Sequence, residues 1–302
     1  MHPGIIPALE GLGIEVDYLP EITGSEILKT IQHYEGLIVR SKIRVDKNFL
    51  DQAPNLKFVA RAGAGTDNLD TGELEKRRIR IINAPEGNRD TLAEHTMGLL
   101  LSLFNKIHLA SQEVKSLQWN REPNRGEELM GKTVAIFGYG NMGQAVAQRL
   151  YSFGVEIIAY DKYKSEITED FVHLVPLETI FNETDVLSLH VPLTEETRNL
   201  VNETFIQKFK KPFYLINTAR GEIVALKALK YYLDQNVILG AALDVLEKED
   251  FTTLSTEERG ILEAIIKSKR VIITPHIAGW SHQSYVRINE VLVNKIKNYL
   301  SE

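Results

Sequence analysis

Three glycines in the middle of the chain have the spacing of a phosphate-binding turn. Gly138, Gly140 and Gly143 follow an apolar run typical of a buried strand, residues 133–137, and precede a helical pattern, residues 144–150. In such a GxGxxG turn, Gly138 permits the tight turn, Gly140 lets a pyrophosphate approach the backbone, and Gly143 lets the helix pack on the strand. The free N–H groups at the start of that helix would bind the phosphates, so the pattern predicts a dinucleotide site.

An acidic residue stands where such a site binds the adenosine ribose. The next apolar run, residues 156–160, ends at Asp161, which lies 18 residues beyond Gly143. Dinucleotide sites place this acid roughly 20 residues on. Its carboxylate would accept hydrogen bonds from the ribose hydroxyls of NAD and would repel the 2′-phosphate of NADP. We therefore predict NAD as the cofactor.

An arginine, an acid and a histidine each come after a later apolar run. These are Arg220, then an acid of the segment at residues 242–249, which contains Asp244, Glu247 and Glu249, and then His276. Because parallel strands end at one crevice, we expect these side chains to converge. The set suits hydride transfer between NAD and a 2-hydroxy acid. Arg220 would hold the substrate carboxylate and polarise the carbonyl, and His276 would exchange the hydroxyl proton with a carboxylate orienting its ring.

Composition limits the classes of protein to consider. The chain has 302 residues, 43% of them hydrophobic, no cysteine and a net charge of −6. This length suggests two domains. The acidic balance argues against nucleic-acid binding, and no apolar stretch is long enough to cross a membrane. The absence of cysteine and of a signal-peptide pattern fits a cytoplasmic protein without a thiolate metal site, and we predict no metal.

Alternating strand and helix patterns predict an α/β fold of two doubly wound domains. We expect a flavodoxin-like substrate domain at residues 1–84 plus 280–302, and a Rossmann NAD-binding domain at residues 85–279. Predicted strands of the first domain lie at residues 15–19, 36–40, 57–61 and 80–83. Those of the second lie at residues 134–137, 156–160, 186–190, 213–217, 238–243 and 271–274.

Two helical patterns lie near the domain boundaries. Residues 90–117 are predicted to form one long helix, with apolar positions at helical spacing. Such a helix would cross between domains, pack in the core or form a dimer contact. The last helix, residues 284–300, is expected to pack on the first domain.

The first domain lacks its expected first strand. The chain opens with a helical pattern at residues 6–12, whereas an open parallel sheet of this type starts with a strand. We expect either that the sequence starts about one strand late or that the domain is genuinely shortened. The intact mass of the native protein separates these alternatives, because a match to 34.2 kDa would exclude the first.

The glycine turn and the segments that contain Arg220, Glu249 and His276 occur in the same order as in the D-isomer-specific 2-hydroxyacid dehydrogenases. The chain resembles this family over essentially its whole length. The resemblance implies that Arg220, Glu249 and His276 are the catalytic residues. Glu249 lies 29 residues after Arg220, which fits the family spacing. The family usually has proline after the glutamate, and here Asp250 follows, so Glu247 stays an alternative partner for the histidine.

The resemblance also implies a homodimer formed through the NAD-binding domain, with the helix at residues 90–117 at the dimer interface. NAD would be bound by the glycines and Asp161 together with Asn141, Met142, Pro192, Thr218, Asp244 and Gly279.

Within the family, the segments at residues 61–63 and 83–88 look most like those of D-3-phosphoglycerate dehydrogenases, which act in serine biosynthesis. The implied substrate-binding residues are Arg40, Arg61, Ala62 and Gly63. A phosphate needs such a cationic cluster. Lys42 and Arg44 either add to it or belong to an ordinary solvated loop.

Two alternatives to a phosphoglycerate dehydrogenase remain. One is a glyoxylate or hydroxypyruvate reductase, which would not need the cationic cluster. The other is an NAD-sensing binding protein on the same scaffold. If the chain is a phosphoglycerate dehydrogenase, we expect the short form, because only 26 residues follow His276 and a regulatory domain would need more.

Overall fold

The computed structural model describes residues 1–302, which divide into two compact units. Unit 1 comprises Met1–Arg89 and Trp280–Glu302, and unit 2 comprises Asp90–Gly279. The strands are β1 Gly36–Val39, β2 Phe58–Arg61, β3 Arg80–Asn83, β4 Thr133–Phe137, β5 Glu156–Tyr160, β6 His173–Leu174, β7 Val186–Leu189, β8 Phe213–Asn217, β9 Ile238–Leu243 and β10 Val271–Ile273. The α-helices are α1 Ile5–Glu10, α2 Gly24–Thr30, α3 Lys47–Asp51, α4 Thr71–Lys76, α5 Pro85–Phe104, α6 Ile107–Lys115, α7 Asn141–Leu150, α8 Leu177–Glu183, α9 Glu203–Ile206, α10 Leu226–Asp234, α11 Thr256–Lys267 and α12 His282–Leu300.

Unit 1 is built on a parallel three-stranded sheet in the order β1-β2-β3. Successive side chains of a strand point to opposite faces, so β2 contributes residues to the apolar clusters on both faces of the sheet. Val59 packs with Leu37 and Leu74 on one face, whereas Phe58 and Ala60 pack with helices α1 and α12 on the other. Helix α12 therefore belongs to unit 1.

One predicted strand of unit 1 is wrong. Residues 15–19 form no hydrogen-bonded ladder and are not a strand of the sheet. In a flavodoxin-like order the second strand pairs with the first, and the first element of this chain is a helix. An extended segment without a neighbouring strand cannot form a sheet ladder.

Unit 2 is built on a parallel seven-stranded sheet in the order β10-β9-β8-β7-β4-β5-β6. The strand order reverses beside β4, where a doubly wound sheet opens its ligand crevice. The sequence predicts a sheet of six or seven strands; the six that it locates are present, and the seventh is the short β6, whose position it did not indicate. Its two residues pair with β5 at the sheet edge, too short a run for a periodic signal. Apolar clusters cover both faces, as a buried parallel sheet requires.

The predicted single helix at residues 90–117 is wrong in its extent. Helix α5 already starts at Pro85 and ends at Phe104, and α6 is a separate helix after a break. Lys106 occupies the left-handed region with φ 51°, which no continuous α-helix contains. The apolar pattern runs through both helices, so periodicity alone did not reveal the break.

The point where the chain first passes from unit 1 to unit 2 also differs from the prediction, which placed it between residues 84 and 85. The first turn of α5 belongs to unit 1, since Gly87 contacts the backbone of Ile288 and Glu86 pairs with Lys295. These contacts place the boundary five residues later, inside α5. No helix of the structure has the length and apolar character needed to span a membrane.

Candidate active site

The glycine turn after β4 has the geometry that the sequence predicts. Gly138 has φ +96°, and its N–H donates to the carbonyl oxygen of Tyr160 at 2.8 Å. A side chain there would also meet the carbonyl oxygen of His190. A Cβ on Gly143 would overlap the carbonyl of Gly138, so both positions exclude any larger residue.

The start of helix α7 is open for a phosphate. Gly140 is its N-cap and provides no side-chain cap, and a Cβ built on Gly140 meets no atom within 4 Å. Asn141 is exposed in the first turn, and Met142 is half-buried against the core. Uncapped N–H groups and a positive dipole end beside open space suit a pyrophosphate, so the residues present fit NAD.

Asp161 lies at the carboxyl end of β5, beside the glycine turn. One carboxylate oxygen accepts from the backbone N–H of Tyr139 at 2.9 Å, and the other accepts from Tyr163 at 2.9 Å. Two backbone donors fix the position of the carboxylate. The next residue, Lys162, is bound to Glu196, which leaves the negative charge of Asp161 dominant at this position.

The remaining predicted cofactor residues lie on loops at the same edge of the sheet. Thr218 follows β8, is buried, and shares a hydrogen bond of 3.2 Å with Thr96. The carbonyl of Pro192, after β7, accepts from the Thr197 hydroxyl at 2.6 Å. Gly279 is the last residue of unit 2. All three follow strands whose carboxyl ends face the crevice, as a bound dinucleotide requires.

Glu249 and His276 are in direct contact. Nδ1 of His276 lies 2.8 Å from Oε1 and 3.0 Å from Oε2 of Glu249, and both side chains are about half exposed. The carboxylate accepts from Nδ1–H, so Nε2 is left for a substrate proton. This is the arrangement that a general acid–base histidine needs.

Glu247 does not contact the histidine. Its carboxylate accepts from the backbone N–H of Leu226 at 2.8 Å, at the start of helix α10. The geometry therefore separates the two acids that the sequence left open. Glu249 pairs with His276, and Glu247 satisfies a donor at a helix N-terminus.

Arg220 follows β8, which neighbours the strand that precedes Glu249. The amide of Asn217 donates to the carbonyl of Arg220 at 2.8 Å, and Nη1 of Arg220 donates to the carbonyl of Ala219 at 2.6 Å. A Cβ on Gly221 would overlap the carbonyl of Leu246, so the arginine loop and the acidic loop touch through their backbones. β8, β9 and β10 are adjacent, which brings the ends that carry Arg220, Glu249 and His276 to one edge.

Asp244 organises the loop that carries the histidine. Its side chain is 1% exposed, and Oδ1 accepts from Ile277 N at 2.9 Å and from the Thr274 hydroxyl at 2.6 Å. Oδ2 accepts from Ala278 N at 2.7 Å. The loop needs such support, because His276 itself has φ 55°. The sequence predicted Asp244 only as a cofactor residue and gave no sign of this scaffold.

His95 joins the same network from helix α5. Its Nε2 lies 3.1 Å from the Thr274 hydroxyl and 3.6 Å from Oδ1 of Asp244. The chain positions of these residues are too far apart for any local pattern to predict the contact.

His190 is a neutral residue beside the glycine turn. Burial lowers the pKa of His190 to about 3, and its Nε2 lies 2.8 Å from the Ser188 hydroxyl. Alternate residues of a strand share a face, so the spacing of Ser188 and His190 was the available signal for this pair.

One of the predicted substrate residues leaves the space that another occupies. Arg61 ends β2, followed by the buried Ala62 and by Gly63, which has φ +149°. A Cβ on Gly63 would overlap the guanidinium of Arg61. Gly63 therefore leaves space for the arginine side chain.

Arg40 lies one residue beyond β1, the strand that neighbours β2. Because Val39 is in register with Arg61, the two arginines emerge at the same edge of the unit 1 sheet. The guanidinium of Arg40 lies 4.3 Å from the ring centroid of Trp280. Lys42 is exposed and donates to the carbonyl of Pro20, and Arg44 is exposed.

Comparisons with known proteins show the family to which the chain is similar. The family model of the D-isomer specific 2-hydroxyacid dehydrogenase NAD binding domain matches residues 97–278. A hydroxypyruvate reductase of Thermotoga maritima is 38% identical over 271 residues, which cover 90% of this chain and 86% of that protein. A D-3-phosphoglycerate dehydrogenase of Archaeoglobus fulgidus is 34% identical over 288 residues, which cover 95% of this chain and 53% of that protein.

The fold matches solved structures over its whole length. A D-lactate dehydrogenase from Aquifex aeolicus, complexed with NAD and lactic acid, has a TM-score of 0.84 at 28% identity and covers 99% of this chain and 92% of its own. The chain belongs to the D-isomer-specific 2-hydroxyacid dehydrogenase family. It is an NAD-dependent enzyme, and NAD is its cofactor. It spans about half the length of the phosphoglycerate dehydrogenase that it matches.

Proposed function

We propose that the enzyme interconverts D-3-phosphoglycerate and 3-phosphohydroxypyruvate, the first oxidation of serine biosynthesis. The observation that carries this proposal is the pair Arg40 and Arg61 at one edge of the unit 1 sheet. Arg40 makes no ion pair with any acidic side chain in the structure, although it is partly buried. A desolvated guanidinium without a carboxylate partner favours binding of an external anion, and a phosphate suits its planar fork.

In this proposal the unit 2 residues perform the chemistry. Arg220 binds the substrate carboxylate and polarises the carbonyl oxygen. His276 donates the Nε2 proton to that oxygen on reduction and takes it back on oxidation. Glu249 accepts from Nδ1–H and thereby fixes the tautomer and orientation of the imidazole. NAD supplies or accepts the hydride when it is bound.

A substrate panel tests the assignment. NADH oxidation at 340 nm would be followed with 3-phosphohydroxypyruvate, hydroxypyruvate, glyoxylate and pyruvate. The proposal expects kcat/KM for the phosphorylated substrate to exceed the others by at least about tenfold, since a charge-assisted contact is worth roughly 1.5–3 kcal/mol. Preference for an unphosphorylated acid would overturn the substrate assignment and leave the family chemistry intact.

A hydroxypyruvate reductase is the second candidate. The relative of that name is 38% identical and matches this chain over most of both lengths, whereas the phosphoglycerate dehydrogenase relative extends to nearly twice the matched length. In that case replacing Arg40 or Arg61 would change KM little, because hydroxypyruvate has no phosphate to bind.

We also propose a homodimer formed through α6 and the residues that follow it. Ile107, Val114 and Leu117 are exposed apolar side chains on this segment, and Leu117 is 97% exposed. Contiguous exposed apolar surface is typical of an interface. Sedimentation of the wild type and of Leu117→Asp tests this: a dimer that the variant weakens supports the proposal, and a monomeric wild type contradicts it.

A further inference from the structure

The guanidinium of Arg40 lies against two aromatic rings of its own unit. It is 4.3 Å from the ring centroid of Trp280 and 5.9 Å from that of Tyr285, and the two rings are 6.1 Å apart. Both rings come from the segment where the chain re-enters unit 1, and Tyr285 belongs to α12. The three side chains form a compact group, here called the Arg40 clamp.

The rings leave the charge of Arg40 available to a ligand. Partial burial lowers the pKa of Arg40 from its usual value, and no acidic side chain forms an ion pair with it. An aromatic face attracts a cation and restricts its side-chain rotamers without using its N–H donors. Arg40 is therefore oriented by contacts that leave its hydrogen-bonding capacity unspent.

The indole ring of Trp280 stays largely exposed. Its side chain is 60% exposed, although indole is among the most strongly apolar groups in proteins. His2 covers another part of the clamp, at 5.9 Å from the Tyr285 ring. A large ring that is kept at the surface and contacts an unpaired arginine has a role that core packing does not explain.

We propose that Trp280 and Tyr285 are positioning residues that hold Arg40 for the distal oxyanion of the substrate, and that they thereby set the preference for acids with a second anionic group. This inference rests on the proposed function for the identity of that substrate. Without the indole the Arg40 side chain is free to change rotamer. We therefore expect weaker binding of the distal anion and an unchanged rate of hydride transfer.

Kinetics of four variants test the clamp. Trp280→Leu is expected to raise KM for 3-phosphohydroxypyruvate about tenfold, with kcat within about twofold and KM for hydroxypyruvate unchanged. Trp280→Phe keeps an aromatic face and is expected to restore most of the loss. Arg40→Lys keeps the charge but not the stacked fork, so it should resemble Trp280→Leu. Leu300→Ala, an exposed apolar residue on α12 outside the clamp, is the matched control.

Two kinetic outcomes would overturn the clamp. One is a general defect of Trp280→Leu, seen either as an equal rise in KM for both substrates or as a fall in kcat, because a general defect indicates a structural role. The other is wild-type behaviour of Trp280→Leu together with preference for the phosphorylated substrate. In that second outcome the proposed function stands and the clamp fails.

A binding measurement separates the clamp from the choice of substrate. Trp119 and Trp280 are the only tryptophans, so in a Trp119→Phe background selectively excited tryptophan fluorescence reports on Trp280 alone. Titration with 3-phosphoglycerate should give a saturable change that Arg40→Lys weakens about tenfold, with glycerate as the control ligand. Such a change without turnover of 3-phosphohydroxypyruvate would support the clamp and contradict the proposed function. No saturable change, or an equal one with glycerate, would overturn the clamp.

Discussion

The carboxylate of Glu249 meets Nδ1 of His276 at 2.8 Å, and the neighbouring acid Glu247 is turned away to bind the start of a helix. Two glutamates two residues apart thus have different partners and, in our account, different tasks. The departure from the family pattern at Asp250 does not disturb this pairing, because Asp250 caps the short turn that follows it.

Replacing each glutamate separates these tasks. Glu249→Gln is expected to lower kcat about tenfold, because the imidazole loses a charged acceptor that fixes its tautomer. The half exposure of the pair keeps the effect at the lower end of the usual range. Glu247→Gln is the matched control and should change kcat less than about twofold. Steady-state NADH oxidation measures both, and a larger fall in kcat for Glu247→Gln would contradict the assignment.

Asp244→Asn should destabilise the histidine loop. The amide retains one acceptor oxygen and places an NH₂ group opposite a backbone donor, so at least one buried N–H loses its partner. We expect a loss of about 2–3 kcal/mol in the free energy of unfolding together with a fall in kcat. Urea denaturation checks it, with Asp234→Asn on the surface of α10 as the control. Unchanged stability would show that Asp244 does not support the loop.

Cofactor choice should depend on the charge of Asp161. Asp161→Asn keeps an acceptor for a backbone N–H but removes the charge that would repel a 2′-phosphate. The ratio of kcat/KM for NADPH to that for NADH is expected to rise roughly 100-fold. Adding Glu196→Gln should raise it further, since it frees Lys162 from its ion pair. An unchanged ratio in both variants would mean that another group selects the cofactor.

His190 makes stability depend on pH. Because its folded pKa of about 3 lies below the unfolded value near 6.5, the unfolded chain binds one more proton between these values. The neutral state of His190 therefore costs no free energy of unfolding above about pH 6.5. Below that pH the free energy of unfolding falls by about 1.4 kcal/mol per pH unit. His190→Gln should reduce the slope of unfolding free energy against pH by that amount between pH 6 and 4. The exposed His33→Gln should not, and equal slopes for His190→Gln and wild type would contradict the buried, neutral state.

The sequence predicted the parts of the site that local patterns encode. The glycine turn, Asp161 and the residues after β8, β9 and β10 follow from strand ends and short motifs, since parallel strands place their carboxyl ends at one edge. The substrate side was predicted only as far as individual residues. Arg40 was singled out by charge, whereas its contact with Trp280 joins residues 240 positions apart.

Other features depended on information that no short segment contains. The break at Lys106 interrupts an apolar pattern that continues on both sides, so only the backbone angle reveals it. The segment at residues 15–19 has the alternation of a strand but no neighbouring strand, and a ladder needs two strands. The contacts of Asp244 with residues 274–278 exist because β9 and β10 are adjacent, which is a property of the topology.

The most direct test of the account is turnover by His276→Gln with the substrate that the panel selects. The variant retains the loop and a hydrogen-bonding side chain but lacks the titrating ring. We predict that kcat falls by roughly 10²–10⁴-fold while the Kd for NADH, measured by fluorescence, stays within about threefold. A kcat within tenfold of the wild type would show that His276 is not the proton donor and would contradict the central claim.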